Sequence, residues 1–299
     1  MDILHRDNAH LSDRTWKELD EAVAVTARHV MAARRVATFD GPRGWDYIAT
    51  PLGTMRACEV REGSAAVCVP DIALLVEIKA DFSLPWAAVE AFERGGPALD
   101  TATAEAAARE VALAEERLLY SGSPVGTGFL ADPESPRFQL GDWSDASRVI
   151  VDLTRAVEKL DRLMVPGPYE AILSPDRYYA FQAASDQGYP VPRHTRNVLA
   201  HVHRSPVLAD GGALFSTRGG DFIITVGGDL SVGYRSQDRD ALHLFCVETV
   251  APQTLSPEAV CLLEGPRFSR PGTQSAPPRD AVAAERRDAT SRADQRRRS

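Results

Sequence analysis

Residues 218–234 read RGGDFIITVGGDLSVGY, two Gly-Gly-Asp triplets around a short apolar run. Glycines spaced in this way serve either a phosphate-cradling loop or a sheet with tight turns. A phosphate loop needs a helix whose N-terminus faces the anion. Here the second triplet is followed by Leu230, Ser231, Val232, Gly233 and Tyr234, which alternate and make poor helix. Neither glycine pair is followed by Lys-Ser or Lys-Thr. The run FIITV is β-branched and aromatic, the composition of a strand. We therefore read VGGDL as the turn of a β-hairpin, its glycines supplying the positive φ angles that primed turns demand. The stretch is sheet.

Outward from this sheet, strands and helices mix along the chain. Ser12 is placed to cap a helix, with Leu11 and Trp16 at the spacing of a hydrophobic staple. Trp16, Leu19, Val23, Ala27, Val30 and Met31 then fall on one helical stripe. GPRG at 41–44 ends the extended piece that follows. Residues 46–78 alternate weakly and read as a long hairpin arm, in which Pro70 excludes a central strand. DTATAEAAAREVALAEERLLYSG, at 100–122, is the clearest helix. Helices near 144–163 and 175–184 flank a strand at YEAILS. SDQGYPVPRHT, 185–195, is too irregular for either element and reads as an exposed loop. ALHLFCVETVAPQTL and EAVCLLE close the folded part as strands. The fold class is α+β.

The chain has 299 residues and a net charge of −8, enough length for a sizeable core. Its apolar runs are too short to span a membrane, and no basic-then-apolar leader opens it. The four cysteines have neither metal spacing nor the density of a secreted scaffold; Cys246 and Cys261 read as core residues. A cytoplasmic protein is expected. From Pro266 onward nine Arg face four acidic residues, a tail of +5 that leaves −13 on the rest. With almost no aliphatic residue the tail is expected to be disordered, and its interleaved acids argue against nucleic-acid binding.

The sequence carries no complete catalytic pattern. His201 and His203 flank Val202, with His194 nearby, but no acid or cysteine completes a metal set. Glu115 and Glu116, and Glu105 with Glu110, suggest an acid pair; beside Arg109 and Arg117 they read as i,i+4 ion pairs instead. There is no nucleophile elbow and no dinucleotide fingerprint. No enzyme is expected.

A series of local motifs goes further. HRDNAHLSDRTW, RRVATFDGPRGWDYIATPLG, FERGG, GYPV, RGGDF, DLSVGY and LFCVET, in this order, resemble the encapsulin shell proteins of the linocin-like family over residues 1–263. That resemblance implies an HK-97-like phage capsid fold. Its parts would be an N-terminal helix and arm at 1–45, an E-loop at 46–78 and a P-domain with its spine helix at 79–133. An A-domain at 134–217 and a returning P-domain sheet at 218–265 would follow, with the basic tail at 266–299 outside the match. It also implies a closed icosahedral homo-oligomer of about 60 copies. The lysine that crosslinks some phage relatives is missing from 46–78.

In the family, the shell encloses cargo enzymes, commonly dye-decolorising peroxidases or ferritin-like proteins, whose C-terminal targeting peptides dock on the inner wall. By position the dock maps to Ala27, Met31, Arg34, Val36 and Thr38, facing Asp229, Leu230, Val232 and Tyr234. Thr38 stands where relatives often carry an acid. Asp186, Gln187, Gly188 and Tyr189 match the loop that borders a five-fold pore. Some members bind flavin on an aromatic of the segment matching FSLPWAAVEAF; Trp86 lies one residue from that position, so no cofactor is expected, with flavin at Trp86 as the alternative. No metal, membrane or specific nucleic-acid partner is implied. The alternatives are a bacteriocin or protease-like enzyme, and a phage capsid subunit.

Overall fold

The computed structural model describes residues 3–55, 59–60, 66–123 and 126–265. The tail at 266–299, expected to be disordered, lies outside them, as does Cys58. After a 3-10 turn at Arg6–Asn8, α1 (Asp13–Arg28) starts where Ser12 Oγ accepts the Thr15 amide at 3.3 Å. Its apolar stripe is buried, and Val30 and Met31 continue that buried face beyond the helix end. A four-residue helix, α2 (Ala33–Val36), leads into the short strand β1 (Thr38–Asp40).

The arm is a hairpin of β2 (Ala49–Met55), β3 (Glu59–Val60), β4 (Ala66–Val67) and β5 (Pro70–Leu74). Thr50 faces Ala73 across it. Pro70 opens β5 of a two-stranded ladder, where a missing N–H weakens no central strand. Cys68, within the arm, is disulfide-bonded, whereas Cys246 and Cys261 are buried free thiols.

β6 (Val76–Pro85), α3 (Trp86–Glu93) and the long α4 (Ala102–Ser121) follow. Ala104, Ala107, Ala108 and Val111 of α4 pack with Trp16, Leu19 and Val23 of α1 and with Phe82, Leu84, Leu244 and Cys246 of the sheet beneath. Small alanines let the two helices and the sheet approach closely.

The middle of the chain adds β7 (Arg137–Gln139), α5 (Ala146–Arg162), β8 (Tyr169–Leu173) and α6 (Pro175–Ala183). Residues 185–195 are more ordered than their composition suggests. β9 (Ser185–Asp186) pairs with β10 (Tyr189–Pro190), and α7 (Val191–His194) follows. Gln187 and Gly188 supply the turn at φ 48° and 81°, both positive as in a type I′ turn. Gln-Gly gives a weaker turn signal than Asn-Gly, which is why the sequence reads as irregular.

β11 (His201–Arg204), β12 (Gly212–Ser216), β13 (Phe222–Val226), β14 (Ser231–Gln237), β15 (Ala241–Thr254) and β16 (Val260–Glu264) complete the fold. Two sheets result. One holds β1, β13, β15, β14 and β6; the other runs β11-β8-β12-β16-β7. The last strand is therefore a correction. Val260–Glu264 belongs by sequence order to the sheet of 218–254, yet it pairs with β12 and β7 in the second sheet. Val260, Cys261, Leu262 and Leu263 are buried and apolar, so either sheet suits them and only the crossing at 255–259 decides.

VGGDL needs a second correction, because it is not a hairpin. β13 pairs with residues 250–254 of β15 and β14 with residues 242–247, both antiparallel, while β6 holds the opposite edge. β13 and β14 thus lie end to end along one edge of β15. Between Val226 and Ser231 the chain takes five steps where β15 takes three, from Val250 to Val247. The two extra residues form a bulge. Gly227 and Gly228 stay in the ladder, exchanging bonds with Thr249, and neither has a positive φ. Their glycine character answers crowding: a Cβ on Gly228 would lie 2.3 Å from the Trp45 ring. The tight turn sits at the first pair, where Gly219 and Gly220 have φ of 93° and 84° and Arg218 pairs with Asp221 across it at 2.7 Å.

Candidate functional site

The bulge puts Asp229 and Leu230 out of the sheet plane and against the turn after α1. Arg34, on α2, reaches toward them. Its guanidinium donates to both Glu115 oxygens at 2.7 and 2.9 Å, to Glu248 at 3.0 Å and to Asp229 at 2.8 Å. Glu115 and Glu248 are fully buried, while the Asp229 side chain is 45% exposed. Only Asp229, of the three acids, meets solvent.

Three carboxylates around one guanidinium leave excess negative charge. Burial opposes the charge on Arg34, but Glu115, Glu248 and Asp229 outweigh it and hold its pKa above the usual guanidinium range. Burial, and then the charge of Glu115, push the Glu248 carboxyl well above the usual range. Glu248 is the member that favours its proton.

Glu116 works on the other side of α4. It accepts the Ala33 amide and the Ser205 hydroxyl, each at 2.6 Å, and burial raises its pKa to about 7. The i,i+4 reading of these acids is thereby overturned. Among the described residues, Glu115 and Glu116 pair with Arg34, Ala33 and Ser205 rather than with Arg109 or Arg117. The helix is covered here by α2 and β15, so no solvent-facing pair is available to either acid. Sequence reasoning passed over Glu248 entirely, although an acid inside the apolar strand LFCVET was the signal.

The nine dock residues do come together, with unequal roles. Ala27, Met31, Val36 and Val232 are buried, at 3%, 6%, 5% and 0% exposure. They belong to the packing of helix on sheet. Thr38 is exposed, and its hydroxyl accepts the Gly220 amide at 3.1 Å. Leu230 is half-buried and bridges two apolar clusters: Ala27, Val30, Met31 and Ala112 on one side, the Val232 cluster on the other. Tyr234 is half-buried too, and its amide is taken by the Leu4 carbonyl at 2.7 Å. Arg6 donates to the Val232 carbonyl at 2.8 Å. The N-terminal residues thus cover the edge of β14, and the solvent-facing part of the set reduces to Thr38, Asp229, Leu230 and part of Tyr234. A groove of about 800 Å³ runs along α1 and α4, and its Val30 and Leu113 also belong to the cluster on which Leu230 packs.

The remaining candidates lie apart. Gln187, Gly188 and Tyr189 are exposed on the β9–β10 hairpin, Asp186 is half-buried, and the Tyr189 ring packs edge-on against His194 at 4.5 Å. Trp86 is half-buried at the start of α3, and its indole donates to the Asp238 carbonyl at 3.0 Å. His203 bonds Glu170 at 2.7 Å. Among the described residues no three His, Cys, Asp or Glu side chains gather to hold a metal ion, and no helix is long and apolar enough to cross a membrane.

Comparison with known proteins bears on this geometry. The family model described as "Encapsulating protein for peroxidase" matches residues 1–251. The type 1 encapsulin shell protein of Rhodococcus erythropolis is 33% identical over 266 residues, covering 88% of this chain and all of the relative. Among solved structures, a virus-like particle from Pyrococcus furiosus superposes with a TM-score of 0.65 at 15% identity, covering 84% of this chain and 99% of the other. The capsid of Myoviridae phage XM1 gives a TM-score of 0.56 at 11% identity, covering 79% and 92%.

Proposed function

The chain belongs to the family of encapsulating proteins, the type 1 encapsulin shell proteins, and from that premise we propose that it forms a closed compartment around a cargo enzyme held by its C-terminal peptide. The coarser part stands on family and fold: this is a structural, capsid-forming shell protein with an HK-97-like fold, not an enzyme. The finer part is our reading. Cytoplasmic subunits, about 60 to a particle, enclose a dye-decolorising peroxidase or a ferritin-like protein. The targeting peptide lies on the inner wall over Leu230, with an apolar side chain against it and a polar group on Asp229. No flavin or other cofactor takes part.

One observation carries the docking proposal. The bulge at Asp229–Leu230 holds an apolar side chain half in solvent beside a carboxylate fixed by Arg34, an anchor with an orienting charge. The family model's description, which names a peroxidase, favours an enzyme cargo over nucleic acid. The test is to isolate particles from the native host and measure their mass and contents. A hollow particle with one co-purifying enzyme is expected. Leu230→Asp is expected to assemble normally and emerge without that enzyme; full cargo in this variant removes the assignment.

A further inference from the structure

A second concentration of charge lies away from the dock. Arg28 ends α1, Arg35 lies on α2 and Arg204 ends β11; with His29, His203 and Tyr179 they wall a pocket of about 330 Å³. Arg35 donates to the Arg28 carbonyl at 3.2 Å. Arg204 donates to the Tyr179 hydroxyl at 2.9 Å, its guanidinium carbon 5.8 Å from the ring centroid. Each of these bonds uses one N–H and, among the described residues, leaves the rest of the fork free. Among the described residues, no carboxylate pairs with any of the three guanidinium groups. The neighbouring acid, Glu170, is taken by His203.

Elsewhere among the described residues ten of the other seventeen arginines of this body have an acid partner, as in Arg6–Asp20, Arg94–Glu90, Arg162–Glu158 and Arg177–Asp210. Residues 1–265 carry −13, so acids to pair with are plentiful. Three unmatched cations from three separate elements, converging on one pocket, repel one another until an anion arrives.

We propose that this pocket binds a phosphate-class oxyanion. Planar N–H forks approaching from three elements suit a tetrahedral acceptor with oxygens on every side, and suit a planar carboxylate less well. The Arg204–Tyr179 hydrogen bond holds one fork in place before the ligand enters, which lowers the cost of ordering it.

Intact particles titrated calorimetrically with inorganic phosphate at fixed ionic strength test this. One saturable site per chain is expected, with acetate at least about tenfold weaker. Arg35→Gln and Arg204→Gln are each expected to lose about tenfold or more in phosphate affinity. Arg94→Gln, whose ion pair lies elsewhere, is expected to bind as the parent does. Where a glutamine variant fails to assemble, Arg35→Lys keeps the charge and removes the fork, and several-fold weaker binding is expected from it. No saturable binding, equal affinity for acetate, or unchanged affinity in the Arg35 variants overturns the proposal. So does binding to dissociated subunits alone, which would assign the arginines to a contact between copies. Particle formation, read separately by electron microscopy, reports on the shell function independently of this outcome.

Discussion

Arg34 holds together acids that otherwise have no means of staying buried. Replacing it by Met leaves Glu115 and Glu248 without their cation, and breaking a buried pair in this way costs about 3–5 kcal/mol. Denaturant unfolding of the dissociated subunit is expected to show that loss. Glu248→Gln should differ little from the parent, because Glu248 already favours its neutral form. Glu116 gives a pH signature. Its pKa is about 7 folded against 4.5 for the free group, so between those values the native chain holds more protons than the unfolded one. Stability must therefore fall as pH rises through that window, by about 3 kcal/mol at most. Glu116→Gln is expected to remove this component, and unfolding of both proteins at pH 5 and pH 8 checks it.

At the scale of elements, one bulge decides what the β13–β14 edge presents. Two residues in excess over β15 turn Asp229 and Leu230 out of the sheet, where a straight strand would have buried one of them. Gly228 beside them lets the Trp45 ring lie against the ladder. Gly228→Ala forces that ring aside and is expected to cost about 1–3 kcal/mol, visible as a lowered thermal midpoint of the dissociated subunit. Alternation and composition announced the strands on both sides. They could not announce the bulge, because Gly-Gly-Asp is equally good material for a turn, and the partner's register chooses between them.

The whole molecule shows an arm whose base is held on the sheet, Gln253 donating to Thr50 at 3.1 Å, while several apolar side chains on it stay open. Ile48, Met55, Ile72 and Leu74 are 71%, 67%, 40% and 43% exposed, an apolar surface that in a capsid-forming chain is expected to be buried on a neighbouring copy. Ile72→Asp should leave the subunit folded at 32.5 kDa and abolish the particle of roughly 2 MDa. Light scattering of the purified variant distinguishes the two, and intact particles would show that the arm is dispensable for assembly.

The sequence by itself determined the local elements. The N-cap at Ser12, the stripe from Trp16 to Ala27, the alanine-rich helix ending at Gly122 and the strands FIITV and ALHLFCVETV all follow from short-range chemistry that neighbouring residues impose on one another. Ordered motifs from HRDNAHLSDRTW to LFCVET also carried the family. Tertiary structure alone decided the rest: the bulge at Asp229–Leu230, the place of Val260–Glu264 in the second sheet, and the burial of Glu115, Glu116 and Glu248. Each of these depends on a partner far away in the chain. An acid on a helix reads as solvated until Arg34, 81 residues away in sequence, is folded onto it, and a glycine pair reads as a turn until Thr249 and Trp45 close around it.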